Sequence, residues 1–453
     1  MGLAGEAFWR AYEGAGWAAM PLAAPYLKRR AARGKEDAVR FAEKLGHTAA
    51  PAPQTPSVWC HAVSVGEASA LLPLAAALSQ WQSVVFTTGT PMAAERVAAY
   101  GARAVPDRME SFAPEKLPAF QRFGHFARAD CGAKCPSLTH QYAPLDALPF
   151  LRRFAERWQP SLAIFAESEV WPATVRHLSR RQVPIVQANA RLSARSGKRW
   201  RQMSFMARSL FSKLSLVLAQ TAEDAARYTA LGAPRVETVG NLKFDAPPLP
   251  VDWEAVRSLR EAIGQRPVFL AASTHPGDEE IVLAAHRQLL SARPDWLTII
   301  APRHHQRGPA IAALAREFGA GLRSAGDAPL GSVYVADTHG ELGSLFAVAP
   351  VVLLAGSFGN LGGHNPAEPA AAGAAMLTGP DHGPMFLPFI TSGAAEVVTP
   401  GTLASAVLRL AGDNELAQRR SDAARATLGV ERGALSRTLE RLQPMLVSGQ
   451  VAS

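Results

Sequence analysis

The sequence predicts an α/β protein with two doubly wound domains. Short apolar runs of strand length alternate with helical stretches along the chain, which is typical of parallel sheets covered by helices on both faces. A stiff proline-rich stretch, Asp-Ala-Pro-Pro-Leu-Pro at 245–250, separates two such series. The length of 453 residues also exceeds what one ordinary core accommodates.

Eleven short apolar runs carry the strand prediction. The first, at 57–63, is rich in β-branched and aromatic residues and directly follows a proline-rich run. We expect one sheet in a domain over 36–246, a second sheet in a domain over 247–425, and a C-terminal helix over 426–453 that packs back on the first domain. The predicted strands are 57–63, 83–88, 161–166, 183–188, 214–219 and 236–240, then 267–272, 297–301, 332–336, 350–355 and 374–378.

Composition indicates a folded protein with anionic partners. A hydrophobic fraction of 48% and a charged fraction of 19% supply enough apolar side chains for buried sheets. The three cysteines, Cys60, Cys131 and Cys135, form no disulfide framework and favour a reducing, cytosolic setting. The formal charge of +9 comes without a recognisable nucleic-acid-binding module. Phosphorylated small molecules and an anionic membrane surface explain this charge equally well.

Residues 1–35 form a candidate interfacial membrane-anchor helix. Aromatic residues such as Trp9 and Trp17 precede a cationic run that starts at Lys28, as in helices that lie in a membrane surface. A helix packed on its own domain explains the same pattern. No stretch reaches eighteen uninterrupted apolar residues, and Glu6 and Glu13 also argue against a spanning helix.

Polar side chains follow the predicted strands of both domains. Glu67 comes at the corner after the first strand, Glu167 and Glu169 follow the third, and Lys243 lies beyond the sixth. In doubly wound sheets ligands bind beyond the carboxyl ends of the strands, and we expect the two domains to face each other across a cleft. The corresponding positions of the second domain carry Ser273-Thr274-His275, Pro302-Arg303-His304-His305, Asp337 to Glu341, and Gly356 to Glu368.

These residues belong to seven short motifs that occur in a fixed order. The motifs are Ser-Val-Gly-Glu at 64–67, Glu-x-Glu-x-Trp-Pro at 167–172, Asn-Ala-Arg-Leu-Ser-x-Arg-Ser at 189–196, Asn-Leu-Lys-Phe-Asp at 241–245, Ser-Thr-His-x-Gly-Asp-Glu at 273–279, Pro-Arg-His at 302–304 and Gly-Gly-His-Asn-Pro-x-Glu at 362–368. Together they resemble the 3-deoxy-D-manno-octulosonic acid (Kdo) transferases of lipopolysaccharide synthesis. Each motif is weak by itself, but the shared order makes chance similarity implausible.

The resemblance implies a fold, a reaction and partners. It implies a GT-B glycosyltransferase with two Rossmann-like domains, CMP-Kdo as the donor substrate, and lipid IVA, a lipid A precursor, as the acceptor. Transfer is expected to be inverting, to take place at the cytoplasmic face of the cell inner membrane, and to need neither cofactor nor metal. Lysine and arginine side chains are expected to supply the positive charge.

Glu67 is the candidate general base. Transfer of a sugar to a hydroxyl needs a group that takes the acceptor's proton, and burial raises the pKa of a carboxylate toward that task. The strand-to-helix corner places Glu67 at the rim of the sheet rather than in the core. The alternative is a structural role, because the helix dipole favours a Glu in the first turn.

By resemblance, Lys243 and Glu167 are the residues that stabilise the transition state. Negative charge leaves on the cytidylate phosphate while positive charge develops on the sugar ring. Lys243 is expected to neutralise the phosphate or the sugar carboxylate. The alternatives are a solvated lysine beside the linker and a carboxylate that only orients neighbours such as Arg191.

The second domain is expected to bind the nucleotide. Arg303 suits phosphate because of its forked donors, and the glycine-rich run at 359–363 frees backbone N–H groups beside a helix that starts near Asn365. Glu368, one turn into that helix, is placed to accept both ribose hydroxyls. The resemblance assigns the CMP site to Pro302, Arg303, His339, Gly340, Glu341, Asn365, Pro366, Ala367 and Glu368.

A basic stretch after the fourth strand is the candidate acceptor site. Arg191, Arg195 and Lys198 suit a doubly phosphorylated lipid, and a merely solvated face explains them equally well. The main departure from the family pattern is an insertion at about 101–140, expected to form a surface loop or short helix. Its potential zinc ligands, which include Cys131 and Cys135, match no common zinc spacing.

Two other classes of protein stay open at this point. A GT-B enzyme with a uridine donor, either a glycosyltransferase or a non-hydrolysing epimerase, shares the architecture but does not account for Glu67 together with Glu167 and Glu169. A non-catalytic lipid-binding relative is expected to have lost Glu67 or Lys243, and both are present.

Overall fold

Two compact units make up the protein. The structure is a computed structural model that describes residues 3–103, 138–359 and 361–448. Unit 1 comprises the chain up to Ala246 and from Arg432 onward, and unit 2 comprises Pro247–Glu431. Each unit has a seven-stranded sheet in which all neighbouring strands are parallel. The predicted α/β class with two doubly wound sheets is confirmed.

Unit 1 is built on the first sheet. Its strands are β1 (Ser57–Ala62), β2 (Val84–Thr88), β3 (Leu138–Tyr142), β4 (Pro160–Ala166), β5 (Ile185–Ala190), β6 (Leu216–Ala219) and β7 (Val236–Thr238). They lie in the order β3-β2-β1-β4-β5-β6-β7. Its first eight helices are α1 (Leu3–Ala31), α2 (Val65–Leu78), α3 (Pro91–Arg103), α4 (Leu148–Trp158), α5 (Pro172–Arg180), α6 (Ala194–Gln202), α7 (Ser204–Phe211) and α8 (Ala222–Ala230).

Helices cover both faces of this sheet, so alternate side chains of a strand enter different cores. Val58 and Cys60 of β1 belong to the cluster that contains the apolar face of α2. Trp59 points to the other face, where its ring centroid lies 4.5 Å from that of Phe154 on α4. Because both faces are buried, the strands read as continuous apolar runs, which is why the sequence revealed them.

Helix α1 packs on unit 1 through one of its faces. Trp9 is buried and donates its indole N–H to Ser209 Oγ at 2.6 Å. Arg176 of α5 is 2% exposed and lies 2.8 Å from Glu13 and 2.7 Å from Glu6. A buried guanidinium needs such partners, so these two carboxylates hold α1 against α5.

The membrane role of α1 stays a prediction. The helix ends at Ala31, four residues before the expected limit at 35. In the described ranges, no helix is both long and apolar enough to cross a bilayer.

Unit 2 repeats the architecture on the second sheet. Its strands are β8 (Val268–Thr274), β9 (Leu297–Pro302), β10 (Gly321–Leu322), β11 (Val333–Val335), β12 (Val351–Leu354), β13 (Ala375–Thr378) and β14 (Ala395–Val397), in the order β10-β11-β9-β8-β12-β13-β14. Its helices are α9 (Trp253–Ile263), α10 (Asp278–Ala292), α11 (Gly308–Leu314), α12 (Leu342–Val348), α13 (Ala367–Ala372), α14 (Leu387–Thr391), α15 (Leu403–Gly412) and α16 (Asn414–Glu431).

The last helix, α17 (Ala434–Ser448), belongs to unit 1. Asp245 accepts hydrogen bonds from the backbone N–H of Gly433 at 2.6 Å and of Leu435 at 2.7 Å, and so caps the start of this helix. Leu439 and Leu442 then enter the same core as α2. The predicted boundary between residues 425 and 426 is wrong by six residues, because α16 continues unbroken to Glu431.

All eleven predicted strands occur, and three strands were missed. β3, β10 and β14 escaped prediction because they lie at sheet edges, and β10 and β14 span only two and three residues. The predicted insertion at about 101–140 overlaps the end of α3 at Arg103 and the start of β3 at Leu138. Most of the insertion, including Cys131 and Cys135, lies outside the described residues.

Candidate active site

The carboxyl ends of β1 and β4 form a topological switch point in unit 1. The two strands are neighbours, but the chain leads from β1 toward β2 and β3 on one side and from β4 toward β5 on the other. Loops that diverge in this way leave a crevice at the strand ends, where doubly wound proteins bind ligands. Glu67 follows β1, and Glu167 and Glu169 follow β4.

The carboxylate of Glu67 is fixed at the start of α2. Ser64 caps this helix, and its Oγ accepts the backbone N–H of Glu67 at 3.3 Å. In return, Glu67 Oε1 accepts the Ser64 hydroxyl at 2.9 Å, and Oε2 accepts the backbone N–H of Val63 at 2.8 Å. The Glu67 side chain therefore has a structural role at the start of α2. It also stays half-exposed at the rim of the sheet, as predicted.

Burial raises the pKa of Glu67, and the negative charge of Glu167 raises it further. The hydrogen bonds from Val63 and Ser64 act in the opposite direction. A carboxylate with a raised pKa is a stronger base than a solvated one, so the surroundings of Glu67 suit proton abstraction.

Glu167 and Lys243 form an ion pair at the same switch point. Lys243 lies in the short 3₁₀ helix Leu242–Asp245 beyond β7, and its Nζ is 2.6 Å from Glu167 Oε1. The Lys243 side chain is 21% exposed and the Glu167 side chain is 15% exposed. The partial burial strengthens the attraction relative to a solvated pair and leaves the lysine accessible to a ligand.

The backbone of Glu167 is held in an unusual conformation. Its φ is 48°, in the left-handed region that side chains other than glycine rarely adopt, at a cost of about 1–3 kcal/mol. The Tyr228 hydroxyl and the Gln187 amide both donate to the Glu167 carbonyl, at 2.9 and 3.0 Å. These buried donors hold the Glu167 backbone in this conformation.

Glu169 is a further carboxylate of this site, and no separate role was predicted for it. Its Oε2 accepts the indole N–H of Trp171 at 2.7 Å. Burial, followed by the charge of Glu67, raises the pKa of Glu169 to about 7, and Glu167 also contributes. A substantial fraction of Glu169 is therefore protonated at neutral pH. The sequence signal for Glu169 was its position two residues after Glu167 in the same motif.

We expect Glu169→Gln to remove a pH-dependent loss of stability. The folded pKa of about 7 exceeds the ordinary 4.5, so between these values the folded state binds more protons than the unfolded state. Wild-type stability therefore falls as the pH rises through this window. The difference in unfolding free energy, variant minus wild type, is expected to grow from about pH 5 to about pH 8 in urea titrations. A difference that stays constant contradicts the raised pKa.

The predicted acceptor residues lie on and before α6. Ser193 caps this helix by accepting the backbone N–H of Ser196 at 3.1 Å. Arg191, Arg195 and Lys198 are exposed, and within the described part of the chain none of them forms an ion pair. Their charge is therefore uncompensated by neighbouring carboxylates, which suits either a solvated face or an anionic ligand.

A second switch point lies at the carboxyl ends of β8 and β12 in unit 2. The chain leads from β8 toward β9 and from β12 toward β13 on opposite sides. Asp278 Oδ2 accepts the backbone N–H groups of His275 and Gly356, each at 2.8 Å, and so ties the two loops together. The backbone N–H of Arg303, after β9, donates to Thr274 at 3.0 Å. This hydrogen bond holds the backbone of Arg303, while its side chain is exposed.

The other residues predicted for CMP follow β9, which adjoins β8, β11, which lies two strands from β8, and β12. Pro302 ends β9, and His339 lies with its ring centroid 3.9 Å from that of His305. Gly340 has a φ of 82°, which requires glycine at this turn. Glu341 is held by Arg323, with both contacts at 2.5 Å. Arg323 belongs to no quoted motif, so the sequence did not identify it.

The glycine-rich loop and α13 differ from prediction in one detail. The helix begins at Ala367, with Pro366 at the capping position, and Glu368 lies in the first turn rather than one turn in. Asn365 Oδ1 accepts the backbone N–H of Ala367 at 3.1 Å. The assignment of these residues to the nucleotide stays a prediction.

Comparison with known proteins decides the family. Residues 39–246 match the family model described as 3-Deoxy-D-manno-octulosonic-acid transferase (kdotransferase). The 3-deoxy-D-manno-octulosonic acid transferase of Haemophilus influenzae is 35% identical over 428 residues, which cover 90% of this chain and 91% of that protein. The chain belongs to the Kdo transferase family. This membership confirms the resemblance drawn from the seven ordered motifs.

Solved structures show the fold of this family member. A glycosyltransferase from Rickettsia africae matches with a TM-score of 0.55 at 9% identity, covering 87% of this chain and 99% of that chain. A UDP-GlcNAc 2-epimerase from Neisseria meningitidis bound to UDP-GlcNAc matches with a TM-score of 0.53 at 14% identity, covering 85% and 100%. At such identities the similarity concerns the GT-B architecture alone.

Proposed function

We propose that this Kdo transferase family member transfers Kdo from CMP-Kdo to lipid IVA in lipopolysaccharide core synthesis, with inversion and with Glu67 as the general base. The observation that carries the proposal is the position of Glu67. Its carboxylate lies at the β1/β4 switch point, is fixed by Val63 and Ser64, and has its pKa raised by burial. These are the requirements for a group that removes a proton from a hydroxyl at neutral pH.

The proposed reaction exchanges one bond at the anomeric carbon for another. A lipid IVA hydroxyl attacks this carbon from the side opposite the phosphate, which inverts the configuration, and Glu67 takes the hydroxyl proton. The bond to the phosphate oxygen breaks, and its electron pair leaves with CMP. Lys243, already positioned by Glu167 at 2.6 Å, stabilises the negative charge of the phosphate or of the sugar carboxylate.

Unit 2 is proposed to bind the donor. The Arg303 guanidinium supplies forked N–H donors for a phosphate, and Asp278 ties the loops after β8 and β12 together at one switch point. Neither a cofactor nor a metal ion has a part in this scheme. In the described residues, no three histidine, cysteine or acidic side chains are arranged to hold a metal ion.

The acceptor is proposed to bind unit 1 at the cytoplasmic face of the inner membrane. The exposed charges of Arg191, Arg195 and Lys198 suit the two phosphates of lipid IVA. On α1, the exposed Trp17 and Tyr26 and the cationic run at 28–30 suit a peripheral contact with an anionic bilayer.

Nucleotide binding tests the donor assignment. CMP is expected to raise the melting temperature of the whole protein, because a ligand at a hundredfold excess over its Kd stabilises the folded state by about 2.7 kcal/mol. UMP and UDP at the same concentration are expected to have a much smaller effect. Equal stabilisation by UMP contradicts a cytidine donor and favours a uridine-dependent enzyme of the same fold.

A further inference from the structure

Two histidines of unit 2 meet at the β8/β12 switch point without any role assigned so far. His275 follows β8 and His364 lies in the loop after β12. Their Nε2 atoms are 3.1 Å apart, and their rings are parallel to within 6° at a centroid distance of 5.2 Å. Both side chains are half-buried. We refer to them as the histidine pair.

The backbone around the histidine pair is adapted to it. Gly356 has a φ of 70°, and a Cβ at this position would lie 3.0 Å from His364 Nε2 and 3.2 Å from His275 Cδ2. Asp278 fixes the backbone of both His275 and Gly356 with hydrogen bonds of 2.8 Å. A side chain other than glycine at 356 would therefore displace the pair.

Basic and acidic side chains act on the pKa values of the histidine pair in opposite directions. Arg303 and His304 lower the pKa of both imidazoles. The ring centroid of His304 lies 5.8 Å from that of His275. The carboxylates of Asp278 and Glu279 raise the pKa of His275. Glu279 is itself compensated, because Arg307 lies 2.6 Å from its Oε1.

In its neutral state the histidine pair is closed to ligands. An Nε2 to Nε2 contact at 3.1 Å requires one ring to donate and the other to accept, so the single shared proton is used within the pair. Burial lowers the pKa of His364 to about 4 and also lowers the pKa of His275, so neither ring is charged at neutral pH. One added proton turns both Nε2 atoms into donors that repel each other and seek an acceptor.

We propose that His275 and His364 form an anion subsite that binds the phosphate group of the donor nucleotide with uptake of one proton. The inference rests on the proposed function for the identity of the ligand. A phosphate beside the two rings favours the protonated state, because an opposite charge at a distance of a few ångströms stabilises an imidazolium. Both Nε2–H groups then donate to phosphate oxygens, and the neighbouring Arg303 supplies a further donor.

Proton-linked calorimetry tests the subsite. CMP binding to the whole protein is measured at pH 7.5 in buffers that differ in ionisation enthalpy, because the CMP phosphate, with a second pKa of about 6, is already a dianion there. We expect uptake of about one proton per CMP. Cytidine, which lacks the phosphate, is expected to bind without uptake. His275→Gln and His364→Gln are each expected to abolish the uptake and to weaken CMP binding about tenfold near pH 6.5.

The exposed His47 of unit 1 supplies the matched control, and His47→Gln is expected to retain the uptake. Melting curves establish that each variant is folded. Uptake that persists in both variants of the pair places the proton on the phosphate and overturns the subsite, while the CMP donor stands. Histidine-dependent uptake with UMP but no binding of CMP supports the subsite and overturns the cytidine donor. Absence of binding by either nucleotide overturns both.

Discussion

Replacing Glu67 with Gln is expected to lower kcat for Kdo transfer by about 100-fold to 10,000-fold, the contribution of a positioned general base. The amide keeps the size of the side chain and still accepts the hydrogen bonds of Ser64 or Val63 through its single oxygen. It cannot take a proton from the acceptor hydroxyl. Because substrate contacts are retained, KM for both substrates is expected to change little. Steady-state kinetics with CMP-Kdo and lipid IVA measure both constants.

A matched control separates catalysis from a general effect of lost charge. Glu95 lies exposed on α3 of the same unit, and Glu95→Gln is expected to leave kcat unchanged. Ser64 still caps α2 in the Glu67→Gln variant, because it accepts the backbone N–H of residue 67, and melting curves establish that both variants are folded. A Glu67→Gln enzyme with near-normal kcat removes Glu67 from the base role.

Lys243→Gln is expected to lower kcat by about 100-fold, as for removal of one preorganised group that stabilises transition-state charge. The variant also leaves Glu167 without its partner at 2.6 Å, next to Glu67 and Glu169. The added negative charge opposes departure of an anionic phosphate. Single-turnover rates with CMP-Kdo prebound measure the chemical step directly.

A double-mutant cycle then shows whether the ion pair acts as a unit. Glu167→Gln combined with Lys243→Gln is expected to cost much less than the product of the two single effects, because residues in direct contact are coupled. Lys213, a half-buried lysine of unit 1, serves as control, and Lys213→Gln is expected to keep the wild-type rate. Strictly additive effects of Glu167 and Lys243 contradict a shared role.

The sequence predicted the central strands because both faces of each sheet are buried. β1 and β4 carry apolar side chains at nearly every position, so their identity does not depend on which face meets which helix. β3 was missed because Thr139, His140 and Gln141 interrupt any apolar run at the sheet edge. Its pairing with β2 depends on backbone hydrogen bonds that side-chain patterns do not report.

The position at which the chain returns to unit 1 was also difficult to predict from the sequence. The pattern of the C-terminal region indicated helix, but α16 and α17 read alike, and the break between them is set by a tertiary contact. Asp245, far away in the sequence, caps α17 from the end of the Asn-Leu-Lys-Phe-Asp motif. Gly433, with a φ of 96°, is a local signal for a break between the helices, but the cap from Asp245 depends on the assembled fold.

The site was predicted in its positions and less well in its chemistry. The rule that ligands bind beyond strand ends led to Glu67, Glu167 and Lys243, and the structure brings all three to one switch point. The raised pKa of Glu169 and the contact between His275 and His364 depend on burial and on the approach of separate loops. Both properties arise only when the strands are assembled in order.

Analysis of the reaction products tests whether the protein transfers Kdo and whether Glu67 takes part in the transfer. The purified protein is incubated with CMP-Kdo and lipid IVA, and mass spectrometry follows the lipid while chromatography follows CMP. We predict that lipid IVA gains Kdo with release of one CMP per sugar, and that Glu67→Gln forms this product at least about 100-fold more slowly. Release of CMP without a lipid product would contradict Kdo transfer to lipid IVA, and equal product formation by the Glu67 variant would contradict the role of Glu67 as the general base.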